Sequence, residues 1–158
     1  MVPISEGVVF HLGVFLGCGQ FLHAAVEAVH ARGIQPPADL DSPQRIAAGA
    51  GLYNEMCSSC HLGPGVEASE LSKGLYPQAP VLAAAQDLTA GQQFWVIKHG
   101  VKLSAMPSWG KTHPDPLIWD MVAFVRKLPG MTPEEYKRLV ASAPGDHDDM
   151  MKDMPGMK

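Results

Sequence analysis

Residues 57–61 read Cys57-Ser58-Ser59-Cys60-His61, which places two thiols three positions apart and an imidazole directly after the second. This C-x-x-C-H spacing is typical of covalent haem attachment. The two cysteines form thioethers with the vinyl groups of haem, and the histidine coordinates the iron as its proximal ligand. We therefore predict one haem c, bound through Cys57 and Cys60, with His61 as an iron ligand.

Two other uses of paired cysteines fit the sequence less well. A structural zinc site needs a second pair of soft ligands, but the remaining cysteine, Cys18, is distant and lies in an apolar stretch. A thioredoxin-like redox pair occurs within a βαβ pattern, whereas the residues before Cys57 have a helical pattern. Haem attachment also accounts for the adjacent histidine.

The length and composition are those of one globular domain with extensions. The chain has 158 residues and a net charge of −4, so it is too short for two full cores. The mildly acidic balance provides no basic patch, and we expect no nucleic-acid partner. Nine methionines and seven histidines are the unusual counts, and both side chains can ligate metals.

Residues 1–31 are predicted to form an export signal or a membrane anchor. The segment is apolar, most densely over residues 8–22, and Val29-His30-Ala31 is an acceptable cleavage site. However, residues 1–7 contain no Lys or Arg, and His11 and other polar side chains would be costly in a membrane span. The alternative is an ordinary helix packed on the domain or on a partner.

The elements around the C-x-x-C-H motif begin after a linker, residues 32–41, which contains two consecutive prolines. Ser42 and Pro43 are typical of a helix start, and the helix is expected to run to about Met56. Gly49, Tyr53 and Cys57 lie four apart and therefore share one face. A glycine inside a helix suggests that another backbone approaches closely there.

The middle of the chain is predicted to be rich in loops, with three helical segments. We expect a helical turn over residues 69–73, a short helix over residues 81–85, and a longer helix over residues 91–99 with Thr89 as its N-cap. A loop, residues 101–110, then presents Met106 before Pro107, which restricts Met106 to an extended conformation.

Two further helices and a tail complete the chain. Helical spacing of apolar residues predicts one helix over about residues 117–127, and Thr132-Pro133 begins another that reaches Val140. The tail, residues 144–158, mixes methionines with His147 and aspartates, a combination that could bind copper weakly. The alternative for this segment is a solvated, flexible end.

The segment Ser42–Pro129 resembles a class I c-type cytochrome domain in its bacterial single-haem form. The family has a helix with a glycine and an aromatic residue four apart before C-x-x-C-H, a G-[IV]-x-x-x-x-M-P loop, and a last helix containing I-W-x-x-V-x-[FY]. The chain matches these patterns at Gly49, Tyr53, Cys57–His61, Gly100, Val101, Met106, Pro107, Ile118, Trp119, Val122 and Phe124. The resemblance implies an all-α fold of short helices around one haem, with the first and last helices crossing near Gly49.

The resemblance also implies the remaining site residues. Met106 would be the second iron ligand, and the carbonyl of Pro77 would accept a hydrogen bond from His61 Nδ1, with Pro80 as the second choice. Apolar side chains would exclude water from the haem, namely Leu75, Tyr76, Val81, Leu82, Ile97 and Trp109. The chain departs from the family in two respects: Leu62 stands where glycine is common after the motif histidine, and His99 stands where asparagine is frequent.

A His/Met-ligated haem has no vacant iron site, so the expected function is one-electron transfer rather than catalysis. We expect a periplasmic protein, soluble or anchored to the inner membrane, that exchanges electrons with transient redox partners. Two alternatives stay open: a cytochrome subunit of a dehydrogenase or oxidase complex, and a copper-handling cytochrome. The expected organisation is an export signal or anchor, a linker, a cytochrome domain, a short helix and a flexible tail, at residues 1–31, 32–41, 42–130, 131–143 and 144–158.

Overall fold

The computed structural model describes residues 30–84 and 87–145, and within these ranges the chain forms helices and loops without a strand. The predicted all-α architecture is confirmed. A 3₁₀ turn over Trp109–Lys111 accompanies the α-helices, which are α1 (Pro43–Met56), α2 (Ser58–His61), α3 (Glu70–Gly74), α4 (Ala90–His99), α5 (Asp115–Val125) and α6 (Pro133–Ala141).

Most of the two predicted terminal segments lies outside the described residues. Only residues 30–31 of the N-terminal segment and residues 144–145 of the tail fall within them. The expectations of export or anchoring and of copper binding therefore stay predictions. None of the helices in the described ranges is long and apolar enough to cross a membrane.

The helix starts follow the predicted caps. Ser42 Oγ accepts a hydrogen bond from the Arg45 backbone N–H at 3.4 Å, and the Thr89 and Thr132 side chains both take part in capping boxes.

Helix α5 begins two residues before the predicted start and ends two residues before the predicted end. Pro116 fits the first turn of a helix, where its missing N–H has no intrahelical acceptor, so the helix begins before Leu117.

The crossing of α1 and α5 organises the core. Gly49 lies against the backbone of α5, where a methyl group would overlap the Asp120 carbonyl and lie 2.8 Å from Phe124 Cβ. Beside the crossing, the Arg45 guanidinium forms ion pairs with Asp120 at 2.6 Å and with Asp39 at 3.0 Å. The expected close approach at Gly49 is therefore observed, and only glycine allows it.

Aromatic side chains fill the space around this crossing. Tyr53 and Phe124 are fully buried with their ring centroids 5.3 Å apart, and Tyr136 of α6 packs on both. On the other side of α5, Phe94 of α4 stacks on Trp119 at 4.2 Å. Helices α4, α5 and α6 are thereby fixed relative to α1, which ends at the C-x-x-C-H motif.

One predicted helix does not form in the described residues. Residues 81–84 make a turn closed by a hydrogen bond from Ala84 N–H to the Val81 carbonyl at 3.1 Å, and Ala85 is outside the described ranges. Pro80 precedes this turn, and its carbonyl accepts a side-chain hydrogen bond from the motif, so the segment serves as a loop beside the motif. The sequence reasoning also missed α2, the short helix of the motif itself.

Candidate haem-binding site

One cavity brings together the motif cysteines, the motif histidine and the predicted second ligand. It encloses about 1040 Å³ of space, part of which is open to solvent. Its walls come from the end of α1, α2, the loop after α3, α4 and the loop before the 3₁₀ turn. The lining residues are Met56, Cys57, Cys60, His61, Leu75, Pro77, Gln78, Ala79, Pro80, Leu82, Leu88, Gln93, Val96, Ile97, Val101, Ser104, Ala105, Met106, Trp109 and Val125.

The local helix explains why the motif spacing works. The Cys60 and His61 backbone N–H groups donate to the Cys57 carbonyl at 3.1 and 2.9 Å. This single turn places residues i, i+3 and i+4 on one face, so both thiols and the imidazole are presented to the same side. All three line the cavity.

The orientation of His61 is fixed by a carbonyl from the opposite loop. His61 Nδ1 lies 2.8 Å from the Pro80 carbonyl oxygen. A carbonyl can only accept, so Nδ1 carries the proton and Nε2 is left as the basic nitrogen for a metal. The preference for Pro77 was wrong for this role: Pro77 lines the cavity wall, and Pro80, the second choice, provides the acceptor.

The loop that carries Met106 is held by short-range hydrogen bonds. Val101 N–H donates to the Met106 carbonyl at 3.2 Å, and Ser104 Oγ donates to the Val101 carbonyl at 2.7 Å while accepting from Met106 N–H at 3.2 Å. Gly100 opens the loop with φ at +67°, and a methyl group there would lie 2.7 Å from the Pro107 carbonyl carbon. This loop therefore holds Met106 at the cavity wall.

Two of the predicted lining residues do not reach the cavity. Tyr76 is 93% exposed and Val81 is also exposed, whereas Leu75, Pro77, Leu82, Ile97 and Trp109 line the cavity as expected. Leu75 has an extended backbone, and in an extended segment successive side chains point to opposite sides. Tyr76 therefore points away from the cavity wall formed by its two neighbours.

The structure also places residues in the wall that the sequence reasoning did not single out. Gln93 and Val96 accompany Ile97 on α4, and the spacing of three and four residues was the available signal. Met56 is the more consequential addition, because it gives the cavity a second thioether besides that of Met106. Its position just before the motif gave no indication of this role.

The electrostatics of the site argue against a redox-active cysteine pair. Burial, with a smaller effect from the charge of Cys60, raises the pKa of the Cys57 thiol to about 12. Reactive disulfide-exchange thiols have lowered pKa values, because the thiolate is the nucleophile. Among residues 30–84 and 87–145, no cluster of three or more His, Cys, Asp or Glu side chains could hold a metal ion by itself.

The residues present fit a haem group. Two thiols on one helical turn match attachment to two vinyl groups, the oriented imidazole would offer a nitrogen ligand, and the thioether of the Met106 loop would offer a soft one. The remaining walls are mostly apolar, as the low-polarity surroundings of a porphyrin require. The arrangement supports binding of the group and electron exchange.

Comparison with known proteins found a matching family model. The model of a protein family described as "Cytochrome C oxidase, cbb3-type, subunit III" matches residues 44–125, more than half of the chain. The match spans α1 to the end of α5 and includes the motif, His61 and the Met106 loop. Searches among curated proteins and among solved structures gave no match.

Proposed function

Because the chain belongs to the family described as cytochrome c oxidase, cbb3-type, subunit III, whose domain is a c-type cytochrome, we propose that it is a one-electron carrier with His61 and Met106 as the axial ligands of its haem. Membership confirms the class I single-haem resemblance, the covalent haem c and a role in haem-based electron transfer. The identity of the axial ligands and of the redox partners is the proposed part.

The observation that carries the ligand assignment is the convergence of four side chains on one cavity. Cys57 and Cys60 lie on one helical turn with His61, whose Nδ1 is engaged by the Pro80 carbonyl. Met106 comes from a separate loop, 45 residues after His61 in the sequence, and it lines the same cavity. This convergence supports a site in which one ligand is fixed by the motif and the other by the Met106 loop.

The side chains have separate tasks in this assignment. Bound haem supplies one-electron exchange between ferrous and ferric iron. His61 keeps its basic nitrogen directed into the cavity because Pro80 holds the other one, and this hydrogen bond increases the electron donation of the ring. Met106 offers a soft sulfur that favours the reduced metal, while Leu82 and Ile97 exclude water.

Carbon monoxide binding tests the ligand assignment. The full chain is co-expressed with a c-type haem maturation system, and ferrous absorption spectra are recorded with and without carbon monoxide for the wild type, Met106→Ala and Met56→Ala. We expect only Met106→Ala to bind carbon monoxide readily, because it alone opens an iron position. Strong binding by the wild type, or by Met56→Ala alone, would show that Met106 is not the ligand.

The partners are proposed to be redox proteins on the periplasmic side of the inner membrane. Domains of this type are typically extracytoplasmic, which supports this location. A carrier that docks transiently needs only a small interface. The family description supports a second candidate, in which the chain is a subunit of an oxidase complex.

Fractionation separates the two candidates. The full chain is expressed at native level in a host that makes a terminal oxidase, and the membranes are dissolved in mild detergent. On size-exclusion chromatography of the extract, a free carrier elutes alone, at the size of one chain. An oxidase subunit instead elutes together with the haem absorption of the oxidase. Elution with the oxidase would overturn the free-carrier proposal and support the subunit.

A further inference from the structure

Helix α6 lies beyond residues 44–125, the part of the chain that the family model matches, yet it packs against the haem-binding segment. Two glycines in the loop after the motif make room for it. A methyl group at Gly63 would lie 3.1 Å from the Tyr136 ring, and one at Gly65 would lie 2.8 Å from Pro133 Cβ. The loop that follows His61 is therefore in direct contact with α6.

Tyr136 also reaches the residues that precede the motif helix. Its side chain is only 4% exposed, and its hydroxyl donates a hydrogen bond to Asn54 Oδ1 at 3.1 Å. The Asn54 backbone carbonyl in turn accepts a hydrogen bond from Ser58 Oγ at 2.6 Å. The Tyr136 hydroxyl is thus linked through Asn54 to the first residue of α2.

A second tyrosine completes the support of α2. The Tyr53 hydroxyl donates to the Leu62 carbonyl, and the Tyr53 and Tyr136 rings meet edge to face at 6.4 Å. Leu62 directly follows His61 and has φ at +59° and ψ at −170°, a conformation that only glycine adopts without strain. The hydrogen bond from Tyr53 therefore holds the strained residue after His61, and the Tyr136 ring packs against Tyr53.

We propose that Tyr136 is a positioning residue for His61, acting from an added C-terminal helix through its hydrogen bond to Asn54 and its ring contact with Gly63. The two contacts hold the chain immediately before and after α2, so α2 cannot shift relative to α1. On the other side of the cavity, the Pro80 carbonyl holds the His61 ring. The inference rests on the proposed function in that it takes His61 as the proximal ligand.

The test compares Tyr136→Phe with Leu139→Ala. Tyr136→Phe keeps the ring on Gly63 and removes only the hydroxyl, so the variant should fold. Leu139 lies on the same helix and packs on the core cluster that contains Tyr53 and Phe124, so Leu139→Ala weakens α6 without touching Asn54. Both substitutions are made in the full-length haem protein.

The first readout is the rate of amide hydrogen exchange in the reduced, diamagnetic protein, measured by NMR at Cys60, His61 and Leu62. Loss of one intramolecular hydrogen bond predicts roughly 3- to 10-fold faster exchange at these amides in Tyr136→Phe. Asn54→Ala should give the same acceleration, and the double variant should give no more. In Leu139→Ala, the exchange rates of these three amides should stay close to their wild-type values, even where other core amides exchange faster.

The second readout is the iron–histidine stretching band in the resonance Raman spectrum of ferrous Met106→Ala, which reports on the His61–iron bond. We expect Tyr136→Phe to shift or broaden this band and Leu139→Ala to leave it unchanged. Unchanged exchange and an unchanged band in Tyr136→Phe would overturn the role of Tyr136, as would equal effects of Leu139→Ala. In a parent Met106→Ala protein whose spectrum shows five-coordinate, high-spin ferrous haem, absence of this band would instead overturn His61 ligation.

Discussion

Replacing Gly49 by alanine tests the crossing of α1 and α5, on which the position of the motif depends. The added methyl group would overlap the Asp120 carbonyl oxygen and lie 2.7 Å from the Asp120 carbonyl carbon and 2.8 Å from Phe124 Cβ. Two of these three atoms belong to the backbone of a buried helix. They cannot rotate away, so the two helices must separate.

The expected loss of stability follows from two opposing effects. Overpacking a well-packed core costs about 1–3 kcal/mol, and the backbone contacts at Gly49 place this case at the upper end, near about 3 kcal/mol. Alanine recovers about 1 kcal/mol through its higher helix propensity. The net loss is about 2 kcal/mol, which corresponds to a drop in Tm of about 10 °C for a domain of this size.

Gly51→Ala provides the matched control on the same helix. Among the described residues, a methyl group at Gly51 would meet Ala143 Cβ alone, at 2.8 Å, in the turn after α6. This contact lies outside the crossing of α1 and α5, and the gain in helix propensity offsets it, so we expect a change within about 1 kcal/mol. Thermal unfolding of the three haem proteins, followed by circular dichroism, measures the difference. A Gly49→Ala protein as stable as Gly51→Ala would refute the reasoning.

Three further predictions concern the loops and α6. Gly100→Ala should increase the extent of carbon monoxide binding, because φ at +67° and the Pro107 backbone leave no room for a methyl group. Gly74→Ala should not, because no atom of the described residues lies within 4 Å of the methyl group it adds. Leu62→Gly should raise the free energy of unfolding by about 1 kcal/mol, measured with denaturant, because it relieves a strained conformation; a lower value would contradict this. Hydrogen bonds from Thr132 lower the pKa of Glu135 below 4.5, so its carboxylate stabilises the fold above that pH and the contribution is lost as the pH falls through the lowered pKa. The Tm advantage of the wild type over Glu135→Gln should therefore shrink between neutral pH and about pH 3, and a constant difference would argue against the carboxylate cap.

The helix boundaries and the crossing could be predicted because short-range rules determine them. Ser42, Thr89 and Thr132 cap helices through their own side chains, and this requires no tertiary information. Gly49 was informative because a glycine in the middle of a helix is unfavourable unless another backbone approaches. The start of α5 was less predictable, since Pro116 was interpreted as preceding the helix although proline also fits its first turn.

The positions of loop residues depended on tertiary contacts that no local pattern encodes. Pro77 and Pro80 occupy one loop and have the same chemistry, so only the path of the chain determines which carbonyl meets His61. The exposure of Tyr76 follows from the backbone of that loop, not from its aromatic character. Gly63 gave no sign of its contact with Tyr136, because the two residues are far apart in sequence.

The most direct test of the central claim is the proton NMR spectrum of the reduced, diamagnetic haem protein. A methionine whose sulfur binds the iron holds its methyl group over the porphyrin, where the ring current shifts the signal far upfield. We predict one such three-proton signal, lost in Met106→Ala and retained in Met56→Ala. A spectrum with no upfield methyl signal, or one lost only in Met56→Ala, would contradict ligation by Met106.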